Sequence, residues 1–338
     1  MMGASRTLRL AGLSLAVAMG ASAQSEGSLP ATHVLLVTGL SGAPEYAELF
    51  RSQAETFRDA ALGRWGLPED RFVWLAERRD VAPGVAGVAR RETVERELGA
   101  LAERAGPDDA ILIVLLGHGS SADGVSKLNL PGPDLSGPDL DAWLSAFPRQ
   151  TVAVVNAASA SGGFLADVAG EGRIVVTATR TPREREWTHF GTFFLDAYAQ
   201  PGADADKDER VSLLEAFLYA KREVERYYER GGQMQTEHAL LDDDGDGEGS
   251  ADPAPAGPDG SLASRFFLAA APAAVAERAA DDPELAGLLA EKARLESEIA
   301  ALRARRDELE PGRYEAALEA LLLDLALTSR EIRERGGA

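Results

Sequence analysis

Three short stretches constrain the fold more than anything else in the chain: AILIVLL at 110–116, TVAVV at 151–155 and RIVVTA at 173–178. Each is nearly continuous Val, Ile and Leu, without the polar alternation of a strand that shows one face to water. Strands of this kind are covered on both faces, as in a parallel sheet held between helical layers. Two further strand candidates, His33–Thr38 and Arg71–Leu75, precede them. Helical patterns lie between, at Ala43–Trp65, Arg91–Ala105, Leu140–Phe147 and His189–Gln200. Strand alternating with helix predicts an α/β domain with a mostly parallel sheet and right-handed crossovers. Sites in such sheets form beyond the carboxyl ends of the strands.

The first 23 residues stand apart from the fold. Arg6 and Arg9 precede an apolar run, Leu10–Met19, that closes in Ala21-Ser22-Ala23, the pattern of a secretory signal peptide. The run is shorter than the ~20 residues a bilayer requires. The chain therefore reads as exported, periplasmic or secreted, with no stable membrane span. Its net charge of −20 repels phosphate backbones, which argues against nucleic-acid binding, and suits the gathering of divalent cations. With no cysteine there is no disulfide, so core burial and metal are left to hold an exported fold.

Two strand ends carry residues capable of chemistry. His118 follows the 110–116 strand, between Gly117 and Gly119, and Ser159 follows the 151–155 strand in the turn NAASASGG. In a parallel sheet both emerge at one edge, where a base and a hydroxyl can share a crevice. The Gly119 N–H is placed to donate to an oxyanion. TATRTPRERE, residues 177–186, follows the next strand, so Arg180 is a candidate for lining a substrate pocket.

The two motifs together carry a resemblance. G-H-G after a strand, then Ala157-Ala158-Ser159-Ala160-Ser161-Gly162-Gly163 after the next, 41 residues from histidine to serine, is similar to the legumain-type and caspase-like cysteine peptidases. There the turn reads [DE]-A-C-x-S-G-[GS]. The resemblance spans roughly residues 30–270. It implies a three-layer caspase-like domain, with polypeptide as substrate or ligand. By position it makes His118 the general base and Gly119 N–H an oxyanion donor. Ser159 stands where the nucleophilic cysteine would be, its own N–H the second donor. Two positions depart: Ala157 replaces the acidic residue, and a hydroxyl replaces the thiol. A serine is far less acidic than a thiol and needs a closely coupled, oriented base. The leading expectation is a catalytically silent or strongly impaired peptidase homologue that still binds polypeptide. The alternatives are an active serine-dependent peptidase or acyl hydrolase with a Ser159/His118 dyad, and an assembly scaffold acting through the C-terminal helices.

DADKDERVSLLE, residues 204–215, places Asp204, Asp206, Asp208, the Arg210 carbonyl, Ser212 and Glu215 at positions 1, 3, 5, 7, 9 and 12 of an EF-hand loop. Position 6, where glycine supplies a positive φ, is Glu209. Ca2+ is the expected ion. A second acidic loop, 242–250, opens the same pattern with Asp242, Asp244, Asp246 and Gly247, but its position 12 is Pro253. Past the Pro/Gly break at 251–260, SLASRFFLA (261–269) reads as a last strand and 271–283 as an alanine-rich linker. Leu288, Leu295, Leu302 and Leu309 then recur every seven residues, and Pro311-Gly312 separates a second apolar stripe. Residues 284–336 read as an antiparallel helical hairpin, coiled-coil-like, closed on itself or paired with a protein partner or second copy.

Overall fold

The computed structural model of the chain describes residues 31–336 apart from Asp123, Ala270, Asp307 and Glu308. The leader expected at 1–23 lies outside the described residues. In chain order the elements are β1 (Thr32–Thr38), α1 (Pro44–Asp59), β2 (Phe72–Ala76), β3 (Val85–Val88), α2 (Arg91–Arg104), β4 (Ala110–Leu116), β5 (Gly119–Ala122), β6 (Val125–Leu128), β7 (Leu135–Ser136) and α3 (Gly137–Leu144). They continue as β8 (Thr151–Asn156), α4 (Phe164–Val168), β9 (Arg173–Thr177), α5 (Phe190–Ala197), α6 (Leu213–Gly231), β10 (Leu240–Asp242), α7 (Ala273–Asp281), α8 (Pro283–Ala304) and α9 (Pro311–Gly336).

Among the described residues the main sheet has seven strands in the order β10-β9-β8-β4-β1-β2-β3. Every pairing is parallel except β10 with β9. The side chains alternate across it. Leu35, Val37, Ile111, Ile113, Val152 and Val154 face α2, α3 and α4. Leu36, Leu112, Val114 and Val155 face α1, α5 and α6. This explains the unbroken apolar runs: both neighbours of each residue also need burial, each large aliphatic contributing about 1.5–3 kcal/mol. The result is a three-layer α/β domain. Helix starts are locally encoded: capping boxes, Ser136 with Asp139 and Ser212 with Glu215, open α3 and α6.

Two local readings are corrected. Residues 261–269 form no strand of either sheet. They make a 3-10 turn at Ala263–Arg265 and one bridge from Phe267 to Ser212. The cause is Asp243, whose buried carboxylate accepts the Gly260 N–H at 2.8 Å and the Ala263 N–H at 2.7 Å, capping the turn. The stretch expected to be a linker is largely helical, as α7, because alanine has the highest helix propensity and Val275 finds a small core with Leu285 and Ile332. Helices α8 and α9 run antiparallel, the Arg335 guanidinium reaching Asp282 at 2.6 Å. No helix among the described residues is long and apolar enough to cross a membrane.

Candidate functional site

Because β4 pairs with both β1 and β8, three loops meet at one carboxyl edge: the loop after β1 with Ser41, the loop after β4 with His118, and the turn after β8 with Ser159. The chain leaves β1 for β2 on one side and returns as β4 on the other, so strand order reverses at this crevice.

His118 does not reach for Ser159. Its Nε2 lies 3.2 Å from the Ser41 carbonyl oxygen, which can only accept, so Nε2 carries the proton and Nδ1 the lone pair. Ser41 is held in turn by Glu77 past β2, donating from its N–H at 3.0 Å and from its hydroxyl at 2.7 Å. Three rings enclose the imidazole, with centroids at 4.5 Å for Tyr46, 5.4 Å for Trp187 and 5.7 Å for Phe50. Burial lowers the His118 pKa below the ordinary imidazole value, the Ser41 carbonyl opposing it.

Ser159 is 2 % exposed, and its hydroxyl is held within the protein. It accepts the Gly119 N–H at 3.1 Å and donates to the Gly119 carbonyl at 3.4 Å. The N–H expected to serve an oxyanion is thus occupied by the expected nucleophile. Gly119 allows this approach because it has no Cβ, which would collide with the Ser159 carbonyl oxygen. The next residue, Ala160, sits at φ 54°, fixed by donation from its N–H to the Glu184 carbonyl at 2.7 Å and from the Ser126 hydroxyl to its own carbonyl at 2.6 Å. Arg180 is exposed, and its backbone N–H donates to Glu184 at 3.1 Å.

The 204–215 loop brings Asp204, Asp206 and Asp208 together, and not the rest of the expected set. Glu209 adopts φ 72°, the left-handed conformation normally left to glycine. Asp204 accepts the N–H groups of Asp208 and Glu209, each at 3.1 Å. One oxygen from each of Asp204, Asp206 and Asp208 falls within 4.8 Å of the others. Partial burial, then the charges of Asp208, Glu215 and Asp204, push the Asp206 carboxyl up to about 6. Ser212 and Glu215 turn to one another, and Glu215 also accepts the Ala205 N–H at 2.9 Å. Arg210 folds its guanidinium back onto Asp208 at 2.6 Å and onto Glu296 of α8. Lys292 adds its ammonium to the Asp208 carboxylate and carbonyl, both at 3.2 Å. In the second loop Asp242, Asp244 and Asp246 also converge within 4.8 Å, and Gly247 takes φ 78°.

Sequence reasoning missed several partners. Ser41 follows an apolar strand beside Gly39 and Gly42, the same signal that marks His118, and could have been found. Glu77, Trp187, Lys292 and Glu296 carry no such mark. Asp259, 6 % exposed, was also missed. Burial and then Asp242, Asp244 and Asp243 raise its pKa, while the Asp243 N–H opposes them. No family model matches the chain, and no curated protein matches it.

Proposed function

We propose that the chain is an exported, caspase-like domain of the legumain type that is catalytically silent, is stabilised by Ca2+ and binds polypeptide. One observation supports the silent reading: the Ser159 hydroxyl, 2 % exposed, is held by Gly119, whose N–H donates to it and whose carbonyl accepts from it, so the nucleophile position is spent on the backbone rather than hydrogen-bonded to the free Nδ1 of His118. An acyl-transfer site needs the opposite arrangement, with the nucleophile free and the donor aimed at the substrate oxygen. The adjacency of the His118 and Ser159 loops supports the caspase-like reading. Beside Ser41, a crevice of about 50 Å³ lined by Phe50, Arg51, Glu77 and Val81 would seat a single side chain of a bound polypeptide.

The loop at 204–215 is the proposed calcium site, with Asp204, Asp206 and Asp208 as ligands. The carboxylates at 242–246 form a second. Repulsion among three converging carboxylates supports this, since a divalent cation would relieve it. The test of silence is labelling by a fluorophosphonate serine probe, for which no Ser159-dependent adduct is expected. The scaffold alternative draws on one feature: Leu323 and Leu327 of α9 are 59 % and 41 % exposed, an apolar stripe suited to a second copy.

A further inference from the structure

Helices α8 and α9 do more than close on themselves. Between them and the body lies a cavity of about 460 Å³, within the ~300–1,000 Å³ typical of small-molecule sites. One wall is apolar: Phe267 from the body, Ile299 from α8, and Leu322 and Leu325 from α9. Leu322 is 42 % exposed, so this wall meets solvent. The charged lining is uneven in its pairing. Arg210 and Lys292 are matched with Asp208 and Glu296. Arg265 and Arg303 also line the cavity, and neither has a carboxylate partner among the described residues. Asp243, whose charge acts on Arg265, gives its carboxylate to the Gly260 and Ala263 N–H groups. Burial lowers the Arg265 pKa, Asp243 opposes this, and the charge of Arg303 adds to it, so the two guanidiniums feel each other.

Two like charges facing one cavity repel unless something anionic sits between them. Each guanidinium can donate two parallel N–H bonds to two oxygens of a carboxylate or phosphate. In a chain of net charge −20 a free anion is repelled at long range, so retention must come from this local pair and from apolar contact. We infer that the cavity between the hairpin and the α/β body is a binding site for an amphipathic organic anion. The acid headgroup lies against Arg265 and Arg303, and the hydrocarbon tail along Phe267, Ile299, Leu322 and Leu325. This site is separate from the His118/Ser159 edge, but it adjoins the 204–215 loop: Asp206 and Asp208 also line the cavity, and the headgroup is placed at the Arg265/Arg303 part of the lining rather than at theirs.

The test is isothermal titration calorimetry of the full chain with decanoate, decyl phosphate and decanol, each at up to about 1 mM, the Kd at which binding is worth about 4 kcal/mol. Either acid is expected to bind at least about tenfold more tightly than the neutral alcohol. The tighter acid identifies the headgroup. Combining Arg265→Gln with Arg303→Gln should abolish the preference for acid over alcohol while leaving the melting temperature in place. Leu322→Glu, which puts a carboxylate in the apolar wall, should weaken both acids and provides a second readout should the arginine variant fold poorly. Absence of heat with both acids, equal binding of decanol, or unchanged binding in the arginine variant would overturn the inference.

Discussion

At Gly119 the fold has room for a hydrogen atom and nothing larger, because the Ser159 carbonyl occupies the place of a Cβ. Gly119→Ala should therefore cost about 3 kcal/mol or more by urea denaturation, since backbone rather than a flexible side chain must move. A loss below about 0.5 kcal/mol would contradict that packing. Glu237 supplies a pH-dependent counterpart. It is 1 % exposed and accepts the His189 N–H at 2.8 Å and the Phe190 N–H at 2.9 Å at the start of α5. Burial, against those hydrogen bonds, pushes its carboxyl up to about 7 from an ordinary 4.5. The folded state holds this proton more tightly than the unfolded state. The associated stability is present below pH ~4.5 and lost as pH rises through ~7, a change of about 3 kcal/mol. Glu237→Gln should flatten this decline in melting temperature between pH 5 and 8, while an unchanged slope would assign the pH dependence elsewhere. His118 and Ser159 were legible because each follows an apolar strand next to glycine. Their partners were not: the Ser41 carbonyl is 77 residues from His118, and no pattern in sequence reports a rotamer.

In the 204–215 loop the structure brings together the three aspartates of the expected spacing, with Glu209 at φ 72°, while Ser212 and Glu215 of the same expected set are engaged with each other as the cap of α6. What the sequence concealed is the cation already on it. Lys292 belongs to a heptad helix, where a charged residue reads as solvated, yet it is 7 % exposed and sits on Asp208. Arg210 and Lys292 together hold the Asp208 carboxyl below its usual range against the cost of burial. Lys292→Ala should lower stability by about 3 kcal/mol without calcium, because it leaves a buried carboxylate less compensated. It should also enlarge the stabilisation that calcium gives, as one cation replaces another. Calorimetry with chelator and with calcium checks both, and an identical calcium increment in the two proteins would remove the link between α8 and the loop. The segment at 261–269 was misread for a different reason: a short apolar run does not separate strand from turn, and the deciding Asp243 lies twenty residues upstream.

For the whole molecule, the three-layer architecture was readable because a doubly covered strand leaves an unmistakable run of Val, Ile and Leu. The docking of α8 onto the acidic loop was not, since heptads predict a helix's partner stripe but not the body it lies against. Calcium at a hundredfold excess over its Kd should raise the melting temperature by about 5 °C or more, and Asp204→Ala should remove the larger part of the shift. No shift at millimolar calcium would end the calcium proposal. The most direct test of the central claim is fluorophosphonate labelling of the intact chain in calcium, read by mass spectrometry, with Ser159→Ala and His118→Ala alongside. A silent site leaves no adduct on Ser159 in any of the three proteins. An adduct on Ser159 that disappears in both variants would contradict it and show a working serine nucleophile at the carboxyl edge of the sheet.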